Sequence, residues 1–159
     1  MTTARNKWVV AGSVAMGSLM ATIDSSIVNV ATPAIRGELG ASLQGMTWVS
    51  TGYMIAMVLV MPLTGLLSAL IGQKRLYLAS LALFTLGSLL CAQARSLEAL
   101  IAFRILQGLG GGALQPTQQA ILRQTFPPEE QGMAMAMFAM VIMLGPPIRP
   151  VLGGWVVAS

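Results

Sequence analysis

Three ionisable side chains interrupt stretches that are otherwise apolar: Asp24, Arg104 and Arg149. A charge at membrane depth is expensive unless it is paired or hydrated, so such residues mark ion pathways and substrate sites. With about 1.5 Å of rise per helical residue, Asp24 lies roughly 24 Å beyond Trp8 and Arg104 roughly 8 Å into its helix. By the same measure Arg149 lies roughly 26 Å from the start of the last helix. These depths predict one shared layer. Asp24 reads in two ways. It is either a structural ion pair with Arg104 or a titrating carboxylate that binds and releases protons among Thr22, Ser25, Ser26 and Asn29.

The stretch that carries Arg104 also holds Gln107, Gly108, Gly111, Gln115, Gln118 and Leu122 at spacings of three and four. On a helix this makes one polar, small-residue stripe. Gly108 and Gly112 form a close-packing pattern, but four glutamines beside an arginine on an otherwise apolar helix argue better for a cavity lining. Asn29, Gln107 and Gln115 are the expected substrate contacts. Gly110, Gly111 and Gly112 in a row weaken the helix locally, which suits motion. Met133, Met135, Met137, Met140 and Met143 read as lipid-facing and core-filling side chains. Cys91 reads as an inert, buried small residue.

These residues need elements to position them, and composition names the kind. The chain has 159 residues, 55% hydrophobic and only 9% charged, with a mean hydropathy of +0.76. Soluble domains carry about 25% charged residues, so a soluble globular fold is excluded. No histidine and one cysteine exclude histidine metal sites, thiol clusters, an internal disulfide and Ser-His-Asp catalysis. No cofactor, metal or enzymatic activity is expected. The net charge of +4 is spread along the chain, which argues against nucleic acid. The lipid bilayer is the partner that remains.

The expected fold is all-α and integral to the membrane, one transmembrane domain of five helices at 8–35, 45–70, 76–94, 97–123 and 129–157. Each has the roughly 20 apolar residues that crossing requires. Turn residues mark the joints at 36–40, 72–75, 94–98 and 126–130. Ser96 suits an N-cap, and Pro127, Pro128 and two glutamates suit a first helical turn. The start resembles a signal peptide but reads as an uncleaved anchor. With a cytoplasmic N-terminus, Arg5, Lys7, Lys74, Arg75 and Arg123 lie inside, and Arg36 and Arg95 outside, so basic residues favour that orientation. Trp8, Tyr77 and Phe126 then belong to the inner interface, and Trp48 and Trp155 to the outer one. Transporters are often built from three-helix repeats, so five helices suggest an incomplete unit. The rest is expected from a longer chain, a second copy or another subunit.

The motifs resemble those of the major facilitator superfamily, specifically its drug:proton antiporter group with fourteen transmembrane helices. Residues 21–33, Ala-Thr-Ile-Asp-Ser-Ser-Ile-Val-Asn-Val-Ala-Thr-Pro, are similar to that group's L-D-x-T-I-V-N-V-A-L-P signature. Arg104-Ile105-Leu106-Gln107-Gly108 matches R-x-x-Q-G. Residues 145–155, including Gly145, Pro146, Arg149, Pro150, Gly153 and Gly154, look like the antiporter motif of the fifth helix. Gly65, Gly72, Lys74 and Arg75 match parts of the loop motif G-x-L-a-D-r-x-G-r-k. Two departures stand out. Ala69 and Leu70 replace the loop motif's acidic and first basic residues, and Arg149 stands where the family usually has glycine.

The resemblance implies the N-terminal five helices of a bacterial inner-membrane transporter. It implies proton or cation handling at Asp24 and Arg104, and conformational roles for Gly108 and the fifth-helix motif. The implied function is proton-coupled efflux of small hydrophobic or cationic compounds. The alternatives are monovalent cation/proton exchange and a truncated fragment or interaction subunit.

Overall fold

The computed structural model describes residues 4–38 and 40–158; the side chains before residue 7, and those of 26, 29–31, 38 and 144–158, lie outside the described set. Every regular element among the described residues is helical: α1 Ala4–Glu38, α2 Leu43–Val60, α3 Thr64–Ile71, α4 Gln73–Ala92, α5 Leu97–Thr125 and α6 Pro128–Ala158. A 3-10 turn, Met61–Leu63, links α2 to α3. Four stretches are long and apolar enough to cross a membrane: Lys7–Ser25, Leu43–Ile71, Gln73–Ala92 and Leu97–Thr125. Helix α6, with 31 residues, has the length for a fifth crossing.

The second span is not the continuous helix expected over 45–70. Pro62 has no N–H to continue the ladder, and its ring crowds the carbonyl one turn back. The chain tightens there, with the Thr64 N–H donating to Met61 O and the Thr64 hydroxyl to Val60 O at 3.2 Å. The third helix begins at Gln73 rather than 76, because Gly72 is the whole joint. Its φ of +85° is open to glycine and strained for other residues. The Leu76 N–H then donates to Gly72 O at 3.0 Å. Lys74 and Arg75, expected in a loop, therefore sit exposed in the first turn of α4.

Other joints follow local chemistry. Ser96 Oγ accepts the Ala99 N–H at 3.2 Å, the cap expected for α5. Ser42 caps α2 through the Gly45 N–H at 3.0 Å. Gly40, at φ +57°, supplies the left-handed residue that turns the chain after α1. Pro128 opens α6, and Glu129 and Glu130 occupy its first turn, where carboxylates favour the helix dipole.

The chain divides into two compact units: one up to Val30 together with Gln118 onward, the other Ala31–Thr117. In the first, Val14, Leu122, Phe126, Ala134 and Phe138 form the core, joining α1, the end of α5 and α6. At its rim Lys7 pairs with Glu130, and the rings of Trp8 and Phe126 meet edge-on at 5.3 Å. An open apolar hollow of about 190 Å³ lies beside them, lined by Trp8, Gly12, Leu122 and Phe138 among others. No candidate site residue lines it. Met133, Met137, Met140 and Met143 are exposed, and Met135 packs on the core. In the second unit, Met46, Val49 and Leu100 form a buried cluster. Tyr77 is buried, whereas Trp48 is exposed.

Candidate functional site

Helix α5 runs without interruption through Gly110, Gly111 and Gly112, all buried. Packing leaves no room for side chains at Gly108, Gly110 and Gly112. A methyl group at Gly108 would stand 2.5 Å from the Tyr53 carbonyl oxygen, and one at Gly112 2.5 Å from that of Met57. At Gly110 it would meet the Phe84 backbone nitrogen at 2.6 Å. Backbone-to-backbone approach of this kind is what small residues give membrane helices. Within its unit α5 is therefore clamped between α2 and α4.

Arg104 lies in this clamp at 4% exposure. Its Nη1 donates to Gln107 Oε1 at 2.6 Å, and its guanidinium carbon stands 5.4 Å from the centre of the Tyr53 ring. A guanidinium keeps its charge when buried, so this is a fixed cation inside an apolar helix bundle. Bonds to an amide oxygen and an aromatic face stabilise that charge. Gln107 itself is wholly buried, and its Oε1 also accepts the Cys91 thiol at 3.9 Å. Because arginine is donor-only, the amide must turn its oxygen to it. Gln107 Nε2 is left with no partner among the described residues. A buried donor left open costs about 1–3 kcal/mol.

The stripe read along α5 thus divides. Arg104, Gln107, Gly108 and Gly111 are buried together in one unit, whereas Gln115 is exposed. Gln118 belongs to the other unit, where its amide accepts from Ser18 Oγ at 2.7 Å and donates to Val14 O at 3.1 Å. Asp24 lies half-buried on α1 in that same unit. Its neighbours Thr22 and Ser25 donate to the α1 carbonyls of Ser18 and Thr22, at 2.8 and 2.9 Å. The side chains of Ser26, Asn29, Gly145, Pro146, Arg149, Pro150, Gly153, Gly154 and Trp155 lie outside the described residues. Gly65 is exposed on α3, as are Ala69 and Leu70.

Tyr53, Gly87 and Cys91 join the Arg104 cluster without having been expected there. Gly87 and Cys91 are one helical turn apart on α4, so their shared face was a signal available in advance. Cys91 is only half-buried and hydrogen-bonded, not an inert core residue.

A sequence profile of the Major Facilitator Superfamily matches residues 14–159. The chain belongs to the major facilitator superfamily. Among curated members, it is 44% identical over 144 residues to the multidrug export protein EmrB of Haemophilus influenzae, covering 91% of this chain and 28% of that protein. It is 40% identical over 149 residues to the probable multidrug resistance protein EmrY of Escherichia coli, covering 94% and 29%. It is 40% identical over 144 residues to the fatty acid resistance protein FarB of Neisseria gonorrhoeae, covering 91% and 28%. The chain therefore spans less than a third of the length of these relatives. As a facilitator-superfamily member with apolar helices and bacterial relatives, it is a multi-pass protein of the inner membrane.

Proposed function

We propose that the chain is part of a proton-coupled exporter of small hydrophobic or cationic compounds, a transporter and not an enzyme. The observation that carries this reading is the fixed cation Arg104, buried and held by Gln107, in a chain whose relatives are named for multidrug export. Asp24 is the proton- and substrate-responsive carboxylate. Proton and organic cation then compete for one negative site, and each lowers the other's affinity by linkage. Protonation from outside releases the substrate, and deprotonation towards the cytoplasm resets the site. Arg104 is the second coupling residue, a buried cation on α5. The membrane potential adds about 2.3 kcal/mol per charge per 100 mV. Gly108 and the motif from Gly145 to Gly154 are the residues assigned to the conformational change that alternates access.

The test is export of ethidium by everted membrane vesicles from cells expressing the protein, under an imposed pH gradient. Gradient-driven movement should stop in Asp24→Asn and Arg104→Ala while both variants still insert and fold. Unchanged movement in both would overturn the reading. A gradient discharged by sodium or potassium, with no ethidium movement, would favour monovalent cation/proton exchange.

The N-terminus lies in the cytoplasm. In a Cys91→Ala background, an impermeant thiol reagent applied outside should label Gly40→Cys and Arg95→Cys. It should spare Gln73→Cys and Gln131→Cys, and the reverse pattern would invert the orientation.

A further inference from the structure

The partner that holds Arg104 is itself held from the neighbouring helix. A methyl group on Gly87 would stand 2.7 Å from Gln107 Cβ, 2.8 Å from its Cα and 2.9 Å from its backbone nitrogen. Real Cβ atoms do not approach so closely, and two of these three neighbours are backbone, so no rotamer change relieves the clash. The distance from α4 at which Gln107 sits is thus set by the absent side chain at Gly87. One turn further along α4, Cys91 donates to the same Oε1 that receives Arg104. Helix α4 thus meets both the backbone of Gln107, at Gly87, and its amide oxygen, at Cys91, the same oxygen that accepts from Arg104. The Nε2 of Gln107 is left open among the described residues. The amide is oriented for Arg104 at the expense of its own hydrogen bonding.

We propose that Gly87 is a positioning residue for Arg104, acting through the backbone and amide of Gln107. This rests on the reading of Arg104 as a coupling residue. It differs from a packing role, which Gly110 illustrates at the same helix pair: a methyl there would meet the backbone of Phe84 and Ser80, not Gln107.

The experiment compares Gly87→Ala, Gly110→Ala, Gln107→Leu, Gln107→Glu and Arg104→Ala in everted vesicles, with ethidium as the probe. A lost or misaligned hydrogen bond to a charged group should lower the maximal rate of gradient-driven export about tenfold in Gly87→Ala and Gln107→Leu. In Gly87→Ala the KM for ethidium should stay within about twofold, since Gly87 has no side chain to touch the substrate. Gln107→Glu keeps an acceptor for the guanidinium and should retain more of the rate than Gln107→Leu. Gly110→Ala should lose thermal stability comparably to Gly87→Ala yet keep its rate. Cys91 provides a readout independent of transport, because its infrared S–H band, assigned by loss in Cys91→Ala, reports on the Gln107 oxygen. That band should shift in Gly87→Ala and Gln107→Leu but not in Gly110→Ala.

Equal rate losses in the two glycine variants, or an unmoved S–H band in Gly87→Ala, would reduce Gly87 to packing. If Gly87→Ala does not fold, Gln107→Leu carries the test, and an unchanged rate there overturns the proposal. Export that stops in Arg104→Ala but survives in Gln107→Leu and Gly87→Ala refutes the positioning role and leaves the proposed function standing. Normal export in Arg104→Ala refutes the coupling role of the arginine and the positioning role with it.

Discussion

Helix α5 carries two glutamines with no exposed surface, Gln107 and Gln118, about three turns apart, and they do opposite things. Around Gln118 both ends of the amide are engaged, with the Ser18 hydroxyl and the Val14 carbonyl of α1. That is an interhelical fastening, of the kind measured at about 0.6 kcal/mol on average in membrane bundles. Around Gln107 the oxygen takes an arginine and a thiol while the nitrogen is left open among the described residues. Burial and residue type are the same; the completeness of the hydrogen bonding differs.

The glycine-lined stretch around Gln107 should be the less forgiving of the two regions. Gly112→Val would drive a branched side chain onto the Met57 carbonyl and should destabilise the protein by about 3 kcal/mol or more, read from unfolding in mixed detergent micelles. Gly132, with open space around it on α6, gives the contrast. Gly132→Ala should stabilise by about 0.5–1 kcal/mol, through helix propensity alone. A Gly112→Val protein as stable as the parent would show that α5 and α2 do not pack backbone to backbone.

The two glutamines can then be separated by the same substitution. Gln118→Leu should cost about 1 kcal/mol of stability and leave gradient-driven export nearly intact. Gln107→Leu should cost about 1–3 kcal/mol or more, because it leaves the buried Arg104 guanidinium without its acceptor, and should cut export sharply. Matching profiles for the two variants would dissolve the distinction.

The smallest effect is expected at the rim of the first unit. Lys7 and Glu130 keep 17% and 35% of their side-chain surface exposed, so Lys7→Met should shift stability by less than about 1 kcal/mol. That difference should shrink further as salt is raised. A larger, salt-independent loss would mean that Lys7 matters through its contact with the Phe126 ring, 5.7 Å away, and not through charge.

What could be read beforehand was what depends on near neighbours in the chain. Apolar length set the spans, serine and glycine set the Ser96 cap and the Gly72 joint, and the motif around Arg104 pointed to the family. The break at Pro62 was equally local, but an unbroken apolar run hid it. The roles of the glutamines were not legible at all. Spacing put Gln107, Gln115 and Gln118 on one stripe, because helical periodicity places residues on a face without saying what that face meets. Only the packed structure decided that Gln118 meets Ser18, that Gln115 is exposed, and that Gln107 sits against Gly87. Those outcomes depend on backbone approach between helices far apart in sequence, where a single methyl group decides how close two helices can come.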